Sequence, residues 1–238
     1  MTIDHAKVPP AAGWIGSGSY DWLVRATVIL VFTVLATSSI NGAFHAATNW
    51  SDQPLDDKLL TIAARVSNAL FMALVAATTM TRLRPLRKAA GLQPRVSALL
   101  GTFLATSLAL LPPAQLPSIW LALSSALVLV GMSLSFAVLR WLGKSFSIMA
   151  EARRLITHGP YAIVRHPLYV CEEIALVGVL IQVISPLALL IAMTHGLLQF
   201  RRILNEEKVL RATFPEYEHY AAGTPRLIPR LRISNAYA

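Results

Sequence analysis

The sequence predicts an all-α, polytopic integral membrane protein of about six transmembrane helices. Three observations predict it. The 238 residues are 55% hydrophobic and only 14% charged, against roughly 45–50% apolar and about 25% charged in a soluble domain. Six apolar runs approach the roughly 20 residues a bilayer span needs, and the basic residues cluster beside those runs. The net charge of +9 therefore reads as membrane topology and not as a nucleic-acid surface, because the cations do not share one polar face.

In chain order the runs are Trp22–His45, Leu59–Met80, Val96–Leu111, Ser118–Leu139, Leu168–Ile184 and Pro186–Arg202. The first is too long and too late for a cleaved signal peptide and is expected to stay as an anchor. The third is short: as an α-helix it reaches only about 24 Å. Pro112, Pro113 and Pro117 break the chain before the fourth run, where Ser124, Gly131 and Ser135 share one face and would let another helix approach closely. Ser185 and Pro186 leave almost no loop between the fifth and sixth runs, which predicts a tight antiparallel hairpin. The lone Cys171 permits no internal disulfide and reads as a small buried core residue.

Loop charges set the orientation. Arg82, Arg84, Arg87, Lys88 and Arg95 follow the second run, whereas Asp52, Asp56 and Asp57 precede it, so the former loop faces the cytoplasm. Arg140, Lys144, Arg153, Arg154 and Arg165 follow the fourth run, and Arg201, Arg202, Lys208, Arg211, Arg226 and Arg230 end or follow the sixth. With six spans all three regions fall on one side, and both termini are cytoplasmic, in a bacterial inner membrane by composition. Residues 1–139 form the first four spans, and residues 140–238 hold the chemistry-bearing region with the last hairpin.

The candidate chemistry lies at the threshold of that hairpin. His195, Gln199, Arg202 and Glu206 fall at i, i+4, i+7 and i+11, within about 60° of one another on a helix. Ionisable groups at such depth face a cavity or a partner. The fifth run starts at Pro167, suited to the first helical position, and the free N–H groups of Leu168 and Tyr169 suit an anion. Glu172 and Glu173 follow within two turns, pointing about 100° apart. At least one is functional, or both neutralise Arg140, Arg153 or Arg165. Arg65 reads as a snorkelling or structural residue. The hairpin would bring Arg165, His166, Tyr169 and a Glu of the fifth run beside Arg202 and Glu206, making a pocket at the membrane surface.

The stretch "HGPYAIVRHPLY" (His158–Tyr169), an apolar hairpin and "NEEKVLRATFPEYEHYAAGTPRLIP" (Asn205–Pro229), preceded by "RWLGKSFS" (Arg140–Ser147), resemble the isoprenylcysteine carboxyl methyltransferase family, a relative of the membrane phospholipid N-methyltransferases. The resemblance implies an S-adenosylmethionine-dependent methyltransferase without a Rossmann domain; "GWIGSGS" near the amino terminus lacks the strand and helix of a dinucleotide loop. It further implies that the cofactor is held by Arg153, Arg154, Leu155, Ile156, Tyr161, His166, Pro167, Leu168, Tyr169 and Glu206, and that Arg202 contacts substrate. Methyl transfer is a direct displacement, so alignment and water exclusion dominate. An anionic acceptor needs no base, whereas an amine or thiol needs one, for which Glu172 or Glu173 is a candidate. The expected partners are a lipophilic or prenylated small molecule and membrane lipids, with no nucleic acid and no metal. Where relatives carry small residues after "RHPxY", this chain has "CEE", which leaves a prenylated carboxylate, a lipid amine, a small thiol and an isoprenoid acid as acceptors.

Two other readings compete. Sterol and steroid reductases, which use NADPH, also carry "RHPxY" followed by a Glu that Glu172 matches, but Glu206–Glu207 with "FPEYEHY" favours the methyltransferase. A small proton-coupled transporter would account for His195, Gln199 and the intramembrane Glu residues, but internal repeats and broken helices are not evident.

Overall fold

A computed structural model describes residues 18–48 and 55–229. Asp52, Arg230 and most of "GWIGSGS" lie outside them. The helices are α1 (Gly18–Thr48), α2 (Leu55–Thr81), α3 (Leu92–Phe103), α4 (Ser118–Leu142), α5 (Pro167–Gln182), α6 (Pro186–Arg211) and a short α7 (Tyr217–Gly223). Two-residue strands β1 (Arg87–Lys88) and β2 (Glu151–Ala152) pair antiparallel. Among the described residues, α1, α2, α4 and α6 are the helices long and apolar enough to cross a bilayer. Many of their large apolar side chains, such as Leu30, Val34, Phe44 and Met193, are exposed as a lipid-facing surface requires. The chain is a multi-pass integral membrane protein.

The remaining two of the six predicted runs form shorter elements. α3 has 12 residues and continues as a 3-10 helix over Leu104–Leu110. The tighter winding stretches that segment, to about 18 Å of α-helix plus about 14 Å of 3-10 helix, longer than the same residues reach as α-helix alone. α5 has 16 residues, about 24 Å. It starts at Pro167 as expected, and α6 starts behind Ser185, whose Oγ accepts from the Ala188 N–H at 3.1 Å.

The turn between α5 and α6 is as short as predicted, but the two backbones share little close contact. α5 packs chiefly on α4, α6 on α3, α2 on α4, and α1 on α2. The small-residue stripe explains the α4–α5 pairing: Ser124, Gly131 and Ser135 are all buried, and a Cβ at Gly131 would lie 2.5 Å from the Ala175 nitrogen. From the other side, a Cβ at Gly178 would lie 2.7 Å from the Ser124 carbonyl oxygen. Between them, Ser124 Oγ donates to the Gly178 carbonyl at 2.8 Å. Cys171 is buried in the core cluster with Val138, Leu139, Phe146 and Leu168. Arg65 is exposed on α2 and lies against Gly42 of α1.

The basic regions converge at one end. β1 follows α2 and pairs with β2, which follows α4, in the register Arg87↔Ala152 and Lys88↔Glu151. The Arg87 guanidinium donates to the Ala212 carbonyl just past α6. The segment after α7 returns to the start of α5, where the Arg165 and His166 N–H groups donate to the Pro225 and Arg226 carbonyls at 2.8 and 3.2 Å. This end carries the candidate site.

Candidate functional site

An open cleft occupies that end. Its walls come from the segment after α4, the Gly159–Ala162 turn, the first two turns of α5, the last turns of α6, and α7. Of the residues singled out in the sequence, Arg153, Arg154, Leu155, Ile156, Tyr161, His166, Leu168, Tyr169, Glu172, Arg202 and Glu206 line it. Pro167 and Glu173 do not. Pro167 is buried as the first residue of α5, and Glu173 turns to His195, whose Nε2 lies 3.3 Å from Glu173 Oε1. The 100° step between adjacent helical residues separates the two carboxylates: Glu172 faces the cleft, Glu173 the α5–α6 seam.

The polar stripe on α6 forms as spaced. His195, Gln199 and Arg202 are buried, and Glu206 is half-buried. Arg202 is held from several directions. Its Nε lies 3.5 Å from Glu206 Oε1, its Nη1 donates to Thr102 Oγ1 of α3 at 3.1 Å and to Gln199 Oε1 at 3.4 Å, and its Cζ sits 5.1 Å from the Tyr169 ring centroid. Tyr169 Oη in turn donates to the Glu206 carboxylate. The result is a closed Arg202–Glu206–Tyr169 triangle at the cleft floor, joining α5 to α6.

Two further ion-pair clusters frame the cleft. Arg153 is buried, and its guanidinium donates to the Leu83 carbonyl and to Glu151. Glu151 also accepts from Ser147 Oγ at 2.9 Å and pairs with Lys88 at 3.5 Å. Glu207 is buried and pairs with Arg165 at 3.4 Å, while His166 Nε2 lies 3.2 Å from its Oε1. Neither Arg153 nor Arg165 pairs with Glu172 or Glu173. The phenols at the rim stay protonated: burial pushes Tyr161 and Tyr220 well above the ordinary range, with the Glu206 charge adding to the effect at Tyr161. Tyr220 Oη donates to the Tyr161 carbonyl at 2.6 Å, fixing the turn that presents Tyr161.

The sequence reading missed Glu151, Thr102 and Glu207. Glu207 was half-visible as the second member of the "EE" pair, and its neighbour's role drew the attention. Thr102 lies 100 residues from Arg202 in a run read only as apolar. Among the described residues, no group of three or more His, Cys, Asp or Glu side chains could hold a metal ion.

The comparisons with known proteins fall on the same part of the chain. Residues 122–212 match the isoprenylcysteine carboxyl methyltransferase (ICMT) family, a segment that runs from the first turns of α4 to the end of α6. The chain is 36% identical over 114 residues to the nickel-cobalt-cadmium resistance protein NccN of Alcaligenes xylosoxydans xylosoxydans, covering 47% of this chain and 54% of that one. It is 37% identical over 81 residues to the cobalt-zinc-cadmium resistance protein CzcN of Cupriavidus metallidurans, covering 33% of this chain and 37% of that one. The chain thus spans about half the length of the first relative and less of the second. The segment that builds most of the cleft, residues 122–212, is thus the part of this membrane protein that is similar to the ICMT family.

Proposed function

We propose that the protein is an S-adenosylmethionine-dependent methyltransferase that acts on a lipid-like or prenylated acceptor at the cytoplasmic membrane face. The observation that carries the reading is the cleft: the family segment folds so that the residues implied for cofactor binding, apart from Pro167, line one cavity with Arg202 at its floor. The residues present suit such a cofactor. Glu206 accepts hydrogen bonds of the kind a ribose or an ammonium offers, Tyr161 and Tyr169 offer aromatic faces, and Arg154 is an exposed cation beside the cavity. The cofactor supplies an electrophilic methyl group on a sulfonium. The protein's part is to orient both reactants and exclude water, with Arg202, held by Glu206, Thr102 and Gln199, shaping the acceptor end of the cleft.

The basic ends of α2, α4 and α6 lie at the same end of the molecule as the cleft, so under the positive-inside rule the site and both termini face the cytoplasm, in a bacterial inner membrane. The relatives' names attach them to metal resistance. In this reading the chain contributes to such a trait through a methylated membrane constituent.

Site variants test the assignment. Glu206→Ala should weaken binding of S-adenosylhomocysteine at least about tenfold, whereas Arg202→Ala should bind it near normally and lose turnover. Normal binding and methylation by both variants would make the polar stripe a structural feature and overturn the site.

A further inference from the structure

Resting on that reading, we infer that the methyl acceptor is an amine and that Glu172 takes its proton. The argument is one of charge accounting inside the cleft. Of the carboxylates that line it, Glu151 is matched by Arg153 and Lys88, and Glu206 by Arg202 and Tyr169. Glu207, just outside, is matched by Arg165 and Arg226. Glu172 alone lines the cleft with no hydrogen bond or ion pair among the described residues, the Arg202 charge acting on it only through space.

The same accounting leaves a substrate carboxylate no receptor at the floor, since the remaining lining cation, Arg154, is exposed and is implied for the cofactor. Arg202 is already engaged by Glu206, Thr102 and Gln199, and Arg153 and Arg165 are tied to Glu151 and Glu207. An anionic acceptor placed at the floor would also meet the Glu172 carboxylate, which no hydrogen bond or ion pair engages. An ammonium group reverses both terms: it supplies the missing partner through a charge-assisted hydrogen bond, and it brings a proton that must leave before the nitrogen can react. A thiol is neutral and offers Glu172 no such attraction.

Charged or titratable groups near Glu172 are Tyr169, Cys171 and Glu173 on α5, His195, Arg202 and Glu206 on α6, and Tyr161 on the adjacent turn. In the step inferred, the ammonium gives one proton to the Glu172 carboxylate, and the nitrogen lone pair then forms the N–C bond to the transferred methyl. The C–S bond breaks with its electron pair left on sulfur, giving the thioether S-adenosylhomocysteine and a methylammonium product. Glu172 returns its proton to water in the open cleft.

Three probes of equal chain length separate the acceptor classes: dodecylamine, dodecanoic acid and dodecanethiol, each offered with radiolabelled S-adenosylmethionine to the full chain in detergent. The wild-type protein should methylate the amine at least about tenfold faster than the other two. Glu172→Gln should bind S-adenosylhomocysteine within about twofold of wild type and lose roughly 100-fold in amine turnover at pH 7.5, in the range of general-base effects. The loss should shrink to under about tenfold near pH 9.5, because the neutral fraction of an alkylamine titrating near 10.4 is then roughly 100-fold larger than at pH 7.5.

Preference for the acid or the thiol, failure to methylate any of the three, or unchanged turnover in Glu172→Gln would each overturn the inference. Loss of S-adenosylhomocysteine binding in that variant would also overturn it by placing Glu172 on the cofactor. A wild-type protein that does not bind S-adenosylhomocysteine at all would instead remove the underlying function, and the inference with it.

Discussion

Glu207 accepts a two-pronged hydrogen bond from Arg226, with Nε 2.9 Å from Oε1 and Nη2 2.8 Å from Oε2. This planar fork ties α6 to the segment beyond α7, and the bond to Glu207 holds Arg226 above its ordinary pKa. His166 and Arg165 meet the same carboxylate, so one buried side chain joins the start of α5, the end of α6 and the carboxy-terminal strap. Of the two adjacent glutamates, Glu206 faces the cleft and Glu207 holds its frame.

Removing that carboxylate strands the Arg165 and Arg226 guanidiniums and the His166 ring. Glu207→Ala should cost about 3–5 kcal/mol, the range for breaking a buried pair by deleting one partner. Arg226→Ala should cost less, because a third of that side chain is exposed and Glu207 keeps its other partners. Thermal unfolding of the detergent-solubilised protein measures both, and an order of effects opposite to this one contradicts the assignment of Glu207 as the hub.

The α4–α5 contact depends on the missing side chain of Gly131. Gly131→Ala places a methyl 2.8 Å from both the Ala175 Cβ and the Cys171 carbonyl oxygen, and overpacking of this kind costs about 1–3 kcal/mol. Gly196, with nothing within 4 Å of a Cβ, is the control: Ala there should be neutral or stabilising by up to about 1 kcal/mol through helix propensity. Equal melting temperatures for the two variants would rule out a close-packed seam.

Thr102 acts through Arg202. Thr102→Val preserves shape but removes the hydroxyl that accepts from the guanidinium, so turnover should fall roughly tenfold, about 1.4 kcal/mol in the barrier. S-adenosylhomocysteine affinity should be unchanged, and Thr102→Ser should recover activity. Steady-state kinetics beside calorimetry separates this from a folding defect, which Ser would not rescue and which would weaken binding too.

Tyr217 supplies a pH dependence. Burial, with Glu207 adding, pushes its phenol up to about 12 from an ordinary value of 10.0. A group whose folded pKa is raised contributes stability that is fully present below its unfolded pKa and lost as the pH rises through the folded value. Stability should therefore fall between about pH 10 and 12, and Tyr217→Phe should flatten part of that decline, leaving the share of Tyr161 and Tyr220. Melting temperatures measured across that window check it; identical slopes would contradict it.

Much of this arrangement is legible in the sequence because helical periodicity is local. The spacing of His195, Gln199, Arg202 and Glu206 fixes one face of α6 whatever surrounds it, and Ser124, Gly131 and Ser135 fix one face of α4. Pro167 and Pro186 mark helix starts through backbone chemistry, and Ser185 through its capping hydroxyl. What periodicity does not carry is partner choice. That α6 packs on α3, so that Thr102 reaches Arg202, depends on contacts about a hundred residues apart. The division of labour within the Glu172–Glu173 and Glu206–Glu207 pairs likewise follows from which neighbour each helix face meets. The 3-10 stretch at Leu104–Leu110 was also hidden, since an apolar run gives no sign of tighter winding.

The central claim is that the cleft between α5, α6 and the segment after α4 holds S-adenosylmethionine. Isothermal titration of the purified, detergent-solubilised protein with S-adenosylhomocysteine, with NADPH titrated in parallel, tests it most directly. Saturable binding of S-adenosylhomocysteine, with no heat from NADPH, is the predicted result; binding of NADPH alone would assign the cleft to a reductase, and binding of neither would leave the polar stripe to a transporter.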